Sequence, residues 1–229
     1  MSFPHRYDRN QAALSEQECA ELASKHVTVV GCGGLGGAVI EALARIGVGH
    51  LRVIDDDVFE ESNLNRQLLC TETTIGREKA LVAAERVRAI NSEVDAEAIV
   101  SRLGEENAAD LLRDADCVVD CLDNLEARFW MAHACQNLGI PLVYGAIAGW
   151  FGQVCTVYPG NISFVNIYGE PFGESHHKKL GNLPFTAYSI SSFQAAEAVK
   201  VVLGRQGQIR NRLLMIDLLD GSADEMELR

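Results

Sequence analysis

The sequence predicts an α/β protein built on a doubly wound, mainly parallel sheet that is extended by antiparallel strands toward its carboxyl end. Three observations predict it. Short apolar runs alternate with segments of helical spacing over residues 27–146, the rhythm of parallel strands joined by crossover helices. The first run ends in a glycine-rich turn, and the second stops abruptly at Asp55, Asp56 and Asp57. Beyond Gly149 the rhythm changes to two neighbouring runs, 152–158 and 162–167, with the turn residues Pro159, Gly160 and Asn161 between them.

Taken in order, residues 1–26 form an amino-terminal helical arm, and 27–31 a first strand. Residues 33–46 are a helix, because Leu35, Val39, Leu43 and Ile46 recur at helical spacing. A strand over 50–54 completes a βαβ unit whose acidic end marks the ligand-binding edge of such sheets. Helical spacing resumes over 75–90 through Ala80, Ala84 and Val87; a strand is expected over 94–100 and a helix over 105–113. Residues 117–121 read as a strand, 125–138 as a helix and 141–146 as another strand. The runs 152–158 and 162–167 read as a hairpin, and 169–184, rich in Gly, Pro and His, as a long loop of the kind that is often functional. A helix over 187–203 and a strand over 213–218 follow, and the acidic tail 224–227 is expected to fray. All 229 residues fit a single domain, with 27–149 as its nucleotide-binding half and 150–229 as a second half.

Composition narrows the function. Hydrophobic residues make up 48% and charged residues 23%, an ordered globular balance. No apolar run approaches the roughly 20 residues of a membrane span, and no secretory signal opens the chain, so a cytoplasmic protein is expected. The formal charge of −12 argues against a broad DNA or RNA surface, leaving His176, His177, Lys178 and Lys179 as the one compact basic run, a solvated loop or a docking patch. Seven cysteines, with no C-x-x-C pair, suit a reducing compartment and small buried side chains; no zinc is expected.

Gly31, Gly33, Gly34 and Gly36 satisfy G-x-G-x-x-G between a strand and a helix, which turns backbone amides toward a phosphate in a Rossmann-like arrangement. Asp55 stands where a carboxylate can accept from a ribose diol. Those two features alone would describe a nicotinamide-dependent oxidoreductase. Arg66 and Lys79, just beyond the second strand, add a rigid fork and a mobile point charge suited to a triphosphate, although either alone would serve equally as surface charge. Asp123 and Asn124 end a strand at the same edge, where a carboxylate could hold Mg²⁺ or the pair could cap the next helix.

Taken together, Gly31-x-Gly33-Gly34-x-Gly36, Gly47-Val48-Gly49, Asp55-x-Asp57, Ser62-Asn63-Leu64-x-Arg66-Gln67, Gly76-x-x-Lys79, Ile90-Asn91, Asp120-x-x-Asp123-Asn124 and Gly152-Gln153 resemble the ThiF/MoeB/HesA family, bacterial relatives of ubiquitin-activating enzymes. The resemblance covers almost the whole chain, through Gln194-x-x-Glu197-Ala198-x-Lys200. It implies an ATP- and Mg²⁺-dependent adenylyltransferase acting on the C-terminal Gly-Gly carboxylate of a ubiquitin-like sulfur carrier protein. It places the nucleotide against Gly34, the ribose on Asp55, the phosphates on Asn63, Arg66 and Lys79, and Mg²⁺ on Asp123. Residues 150–229 would bind the carrier, with a crossover loop over about 169–184. Arg6-Tyr7-Asp8-Arg9 matches the family's Arg-Tyr-x-Arg pattern, which implies a homodimer in which Arg9 acts in the partner's site; without the resemblance Arg9 reads as a solvated tail residue.

The chain departs from many relatives in lacking two C-x-x-C pairs and any cysteine over 173–183, so no enzyme thioester is expected and sulfur would come from a separate donor such as a cysteine desulfurase; Cys70 and Cys155 are the remaining exceptions. Two rival readings share the fold: an enzyme like the tRNA threonylcarbamoyladenosine dehydratases, which needs a basic surface, and a non-catalytic scaffold, which needs none of Arg9, Arg66, Lys79 and Asp123.

Overall fold

A computed structural model describes residues 4–160 and 180–228. Five parallel strands, β1 (His26–Val30), β2 (His50–Ile54), β3 (Asp95–Ile99), β4 (Cys117–Asp120) and β5 (Leu142–Ala148), pair in the order β3-β2-β1-β4-β5. The antiparallel strands β6 (Phe151–Val157), β7 (Arg212–Asp217) and β8 (Ser222–Glu227) extend the sheet beyond β5. Strand order reverses between β1 and β4. The turns leaving those two strands therefore open side by side at the carboxyl edge, the place where doubly wound sheets bind ligands.

Helices close the parallel half from both sides. α1 (Glu16–Leu22) follows a short 3-10 turn, His5–Asn10; after it come α2 (Gly34–Ile46), α3 (Lys79–Ile90), α4 (Ala108–Leu112), α5 (Leu125–Leu138) and α6 (Pro184–Val202). One core joins Val27, Val29, Leu51, Val53 and Val119 to apolar residues of α2, α3 and α6. A second, on the opposite face, joins Val30, Val118, Leu142 and Tyr144 to Leu112 of α4 and Met131 of α5. Strands buried on both faces explain why β1 and β4 read as continuous apolar runs instead of alternating ones.

The observed elements correct several boundaries. α3 starts at Lys79 instead of 75, because Gly76 donates to the Phe59 carbonyl and Phe59 to the Arg77 carbonyl, which holds this stretch against the preceding loop. α4 is shorter than 105–113, since the Asn107 side chain accepts from Gly104 N and starts the helix late. α6 begins at Pro184, whose fixed φ suits a first helical position. The tail 224–227 does not fray: it belongs to β8, paired with β7 along its length and tied by an Arg212–Glu225 ion pair of 3.3 Å. Its charges suit an exposed edge strand, which they guard against further pairing. The antiparallel pairs are β5–β6 across Gly149 and Trp150, β6–β7 and β7–β8. The strand expected over 162–167, the run His176–Lys179 and residues 169–179 of the loop lie outside the described residues. Among the described residues no helix is long and apolar enough to cross a membrane.

Candidate functional site

The β1–α2 turn is wedged against the end of β4. Gly31 holds φ at +95°, and a Cβ there would meet the Cys121 carbonyl oxygen at 2.6 Å; a Cβ on Gly36 would lie 1.7 Å from the Gly31 carbonyl oxygen. Only glycine fits either place. Gly33 caps α2 with no side chain over the first-turn amides, so these donors are left to face the edge of the sheet. Arg66 and Ala187 approach the Cβ position of Gly34 to 3.7 Å, and Gln67 approaches that of Gly33 to 3.4 Å. Gln67 is buried and its Oε1 has no hydrogen-bond partner, an acceptor kept beside the turn.

Asp55 stands next to the turn at the end of β2. Its Oδ2 accepts from Cys32 N at 2.6 Å and its Oδ1 from Asp57 N at 2.8 Å. Burial nevertheless pushes the carboxyl pKa up, outweighing those bonds and the Lys79 charge. Lys79 is buried at the first position of α3, where its Nζ lies 3.0 Å from Asp57 Oδ2 and its amide donates to the Asp57 carbonyl. Asn63 is buried and its Oδ1 accepts from Glu60 N at 3.1 Å, which fixes the 3-10 turn Glu61–Asn63. The Ser62 carbonyl of that turn, at 3.0 Å, and Asn65 Oδ1 just beyond it, at 2.9 Å, accept from the Arg66 guanidinium; neither is a carboxylate.

Across the turn, Asn124 and Asp123 divide the two roles left open by sequence. Asn124 Oδ1 accepts from Ala127 N at 3.0 Å and caps α5. Asp123 is exposed and, among the described residues, makes no hydrogen bond or ion pair, so its carboxylate is available to a cation. Arg9 is the one site residue held elsewhere. It lies on the 3-10 turn His5–Asn10, which docks at the carboxyl-terminal end of α2 through Tyr7 and through Asn10, whose side-chain amide donates to the Ile46 carbonyl at 3.4 Å. The 13 residues of α2 separate that end from Gly33, roughly 20 Å at 1.5 Å per residue.

Sequence reasoning gave no role to a buried polar network behind Asp123. Asp120 is fully buried; its Oδ1 accepts from Leu122 N at 3.0 Å, while its Oδ2 has no hydrogen bond and lies 3.7 Å from Arg128 Nε. Desolvation raises the Asp120 pKa to about 6, more than Arg128 lowers it. Arg128 donates to the carbonyls of Leu122 and Gly145, at 3.0 Å each, and sits 5.1 Å from the Tyr144 ring centre. Gln194 of α6 donates to the Asp120 carbonyl at 2.7 Å. The turn that carries Asp123 is thus pinned to β5 and α6 by side chains that never reach the surface. The available signal was an arginine placed among apolar positions of a helix.

All seven cysteines are buried and unpaired. Burial pushes the Cys155 thiol up to about 12 and raises that of Cys70, which keeps both protonated at neutral pH. On the face of β5–β8 opposite α6 lies a cavity of about 350 Å³, lined among others by Ala146, Phe151, Gln153, Met215, Asp217 and Asp224.

The ThiF family pattern matches residues 7–229. The chain belongs to the ThiF family. Within it, the SAMP-activating enzyme E1 of Haloferax volcanii is 36% identical over 211 residues, 91% of this chain and 78% of that protein. The sulfur carrier protein adenylyltransferase of Thermus thermophilus is 36% identical, covering 98% of this chain and 87% of its own length. The chain spans about half, 46%, of another relative, the mouse adenylyltransferase and sulfurtransferase MOCS3, at 36% identity. Among solved structures, MccB in complex with N-formylated MccA superposes with a TM-score of 0.86 over 98% of this chain and 72% of that one; at 20% identity this likeness shows the shared fold. The Thermus and mouse relatives both carry adenylyltransferase in their names.

Proposed function

We propose that this ThiF-family chain uses ATP to adenylate the C-terminal Gly-Gly carboxylate of a ubiquitin-like sulfur carrier protein, releasing pyrophosphate. One observation carries the reading: the uncapped amides of α2, the cations Arg66 and Lys79, and the unpaired carboxylate of Asp123 converge on one sheet edge. A dinucleotide site has no use for that combination. The relatives named as adenylyltransferases of sulfur carriers support the substrate class.

The carrier carboxylate, with an ordinary pKa of about 3.5, is already ionised at neutral pH and needs no general base. One of its oxygens attacks the α-phosphorus, the bond from that phosphorus to the bridging oxygen breaks, and pyrophosphate leaves with the electron pair. The work left to the enzyme is positioning and charge neutralisation. The α2 amides and Gly34 hold the phosphates, with Ser62, Asn63 and Gln67 shaping the wall beside them. The free lone pairs of Asp55 accept from the ribose hydroxyls. Arg66 offsets charge on the departing pyrophosphate, and Lys79 does so by exchanging Asp57 for phosphate. Asp123 fits Mg²⁺, because it is an exposed oxygen ligand without a competing partner; the bound ion supplies further charge neutralisation. Arg9 cannot reach its own glycine turn and serves that of a second copy in a homodimer.

Residues 27–149 act as the nucleotide-binding half, and the open face of β5–β8 receives the carrier. Cys70 and Cys155 are buried, which supports adenylation without an enzyme thioester, sulfur then coming from a separate donor such as a cysteine desulfurase. The test is ATP–pyrophosphate exchange with Mg²⁺ and a panel of purified Gly-Gly-ending carriers. Exchange that requires one carrier establishes the reaction; ATP binding without exchange for any carrier rejects the substrate class, and no ATP binding rejects the site.

A further inference from the structure

Three sequence features, Arg6-Tyr7, Gly47 and Asn91, have no part at the nucleotide edge. The fold brings them to one point. Asn91, 2% exposed, follows the last residue of α3, and its Nδ2 donates to Tyr7 Oη at 2.7 Å and to the Ala44 carbonyl of α2 at 2.9 Å. Its Oδ1 accepts from the Arg6 guanidinium and from Glu93 N. The Tyr7 ring lies on Gly47, where φ is +95° and a Cβ would stand 2.7 Å from the ring. One buried amide therefore joins the ends of two helices to the amino-terminal arm, with both of its donors and its acceptor engaged.

We propose that Asn91, with Tyr7, is a positioning residue that latches the amino-terminal arm and thereby aims Arg9 at the glycine turn of a second copy of the chain. This rests on the role given to Arg9 above. A 3-10 turn of six residues has little stability of its own, so the place of Arg9 comes from its anchors. Those anchors sit at the far ends of both phosphate-facing helices: α2 begins at the glycine turn and ends beside Tyr7, and α3 begins with Lys79 and ends beside Asn91. The two residues from Tyr7 to Arg9 span at most ~7 Å, well short of the ~20 Å back along α2. Docking the arm there commits Arg9 outward.

The test compares Asn91→Ala, Tyr7→Phe and Arg9→Ala, singly and as the Asn91→Ala/Arg9→Ala double variant, by carrier-dependent pyrophosphate release and by hydrogen exchange of residues 5–14. Asn91→Ala is expected to speed exchange of the arm by about tenfold or more and to lower kcat by about tenfold while the KM for ATP moves by less than about twofold. In the Arg9→Ala background the same substitution costs less than about twofold, because the group it positions is already gone. Tyr7→Phe, which keeps the ring and loses only the acceptor, shifts both readouts the same way by less. An equal loss in both backgrounds, or unchanged exchange of the arm, overturns the latch; so does full activity in Arg9→Ala. Absence of pyrophosphate release from the unaltered protein with every carrier would refute the proposed reaction and with it the function assigned to Arg9, whereas hydrogen exchange reports separately on the docking.

Discussion

The parallel and antiparallel halves of the sheet solve different problems. The central strands β1 and β4 are covered on both faces, and apart from Arg9 the polar groups of the candidate site sit in turns or at a helix start along the edge, held by contacts such as the 2.6 Å bond from Cys32 N to Asp55. From the end of β5 to β7, α6 packs on one face, while among the described residues the other presents Phe151 at 49% and Met215 at 38% exposure beside Asp217 and Asp224. An edge of amides and fixed charges matches a small anion, which must be gripped in one geometry. An open apolar face with an acidic border matches a protein, whose recognition rests on shape, apolar area and charge complementarity. With ATP at the edge and a carrier on the face, as proposed, partner choice could vary without disturbing the chemistry.

Variants can break this division, starting from the edge. Asp123→Ala should lower pyrophosphate exchange by about 10²–10³-fold and leave the melting temperature unchanged, because the side chain has no partner to lose; a large thermal shift would show that the residue is structural. Arg9→Ala should be strongly impaired too, and an equimolar mixture with Asp123→Ala should recover about a quarter of normal activity, since random pairing makes half the dimers mixed with one complete site each. No recovery would return Arg9 to its own chain. On the open face, Met215→Asp should raise the carrier KM about tenfold with ATP binding unchanged, and an equal loss of ATP affinity would mean that edge and face are coupled.

The mildest effect on activity is expected within the buried network. Asp120→Asn keeps an acceptor for Leu122 N and should hold exchange at pH 8 within about twofold, while changing the pH dependence of stability. The folded protein retains the Asp120 proton up to about pH 6, whereas the unfolded chain releases it near its ordinary value of 3.8. This group therefore adds stability below pH 4 that is lost as pH rises through 6, by at most ~3 kcal/mol for a shift of about two units. Chemical denaturation from pH 4 to 7 should show that component in the unaltered protein and not in Asp120→Asn.

Legibility followed locality. β1, β2 and β4 are short apolar runs that stop at Gly or Asp, α2 ends at Gly47, and α5 runs from its Asn124 cap to Gly139, so their positions could be read from neighbouring residues. The start of α3 could not, because residues 75–78 are held by the distant segment around Phe59, and the tail 224–227 looked frayed until β7 supplied its partner. At the site, the glycine turn, Asp55, Arg66, Lys79 and Asp123 all announced themselves by residue type beside a strand end. Arg128 did not: on a helix an arginine reads as surface charge, and only packing against Tyr144 and Gly145 makes it interior.

By itself the sequence determined the parallel strands with their crossover helices, the glycine turn between β1 and α2, and the family, because glycine spacing and apolar periodicity are local consequences of backbone geometry and burial. Tertiary structure alone decided that Asn124 caps α5 and leaves Asp123 free, that Asp120 is desolvated against Arg128, and that Arg9 is anchored a helix length from its own glycine turn. The first settles a choice between two local options, and the other two depend on which distant groups come together; the free energy of a carboxylate or a guanidinium is set by its neighbours in space, not by its place in the chain.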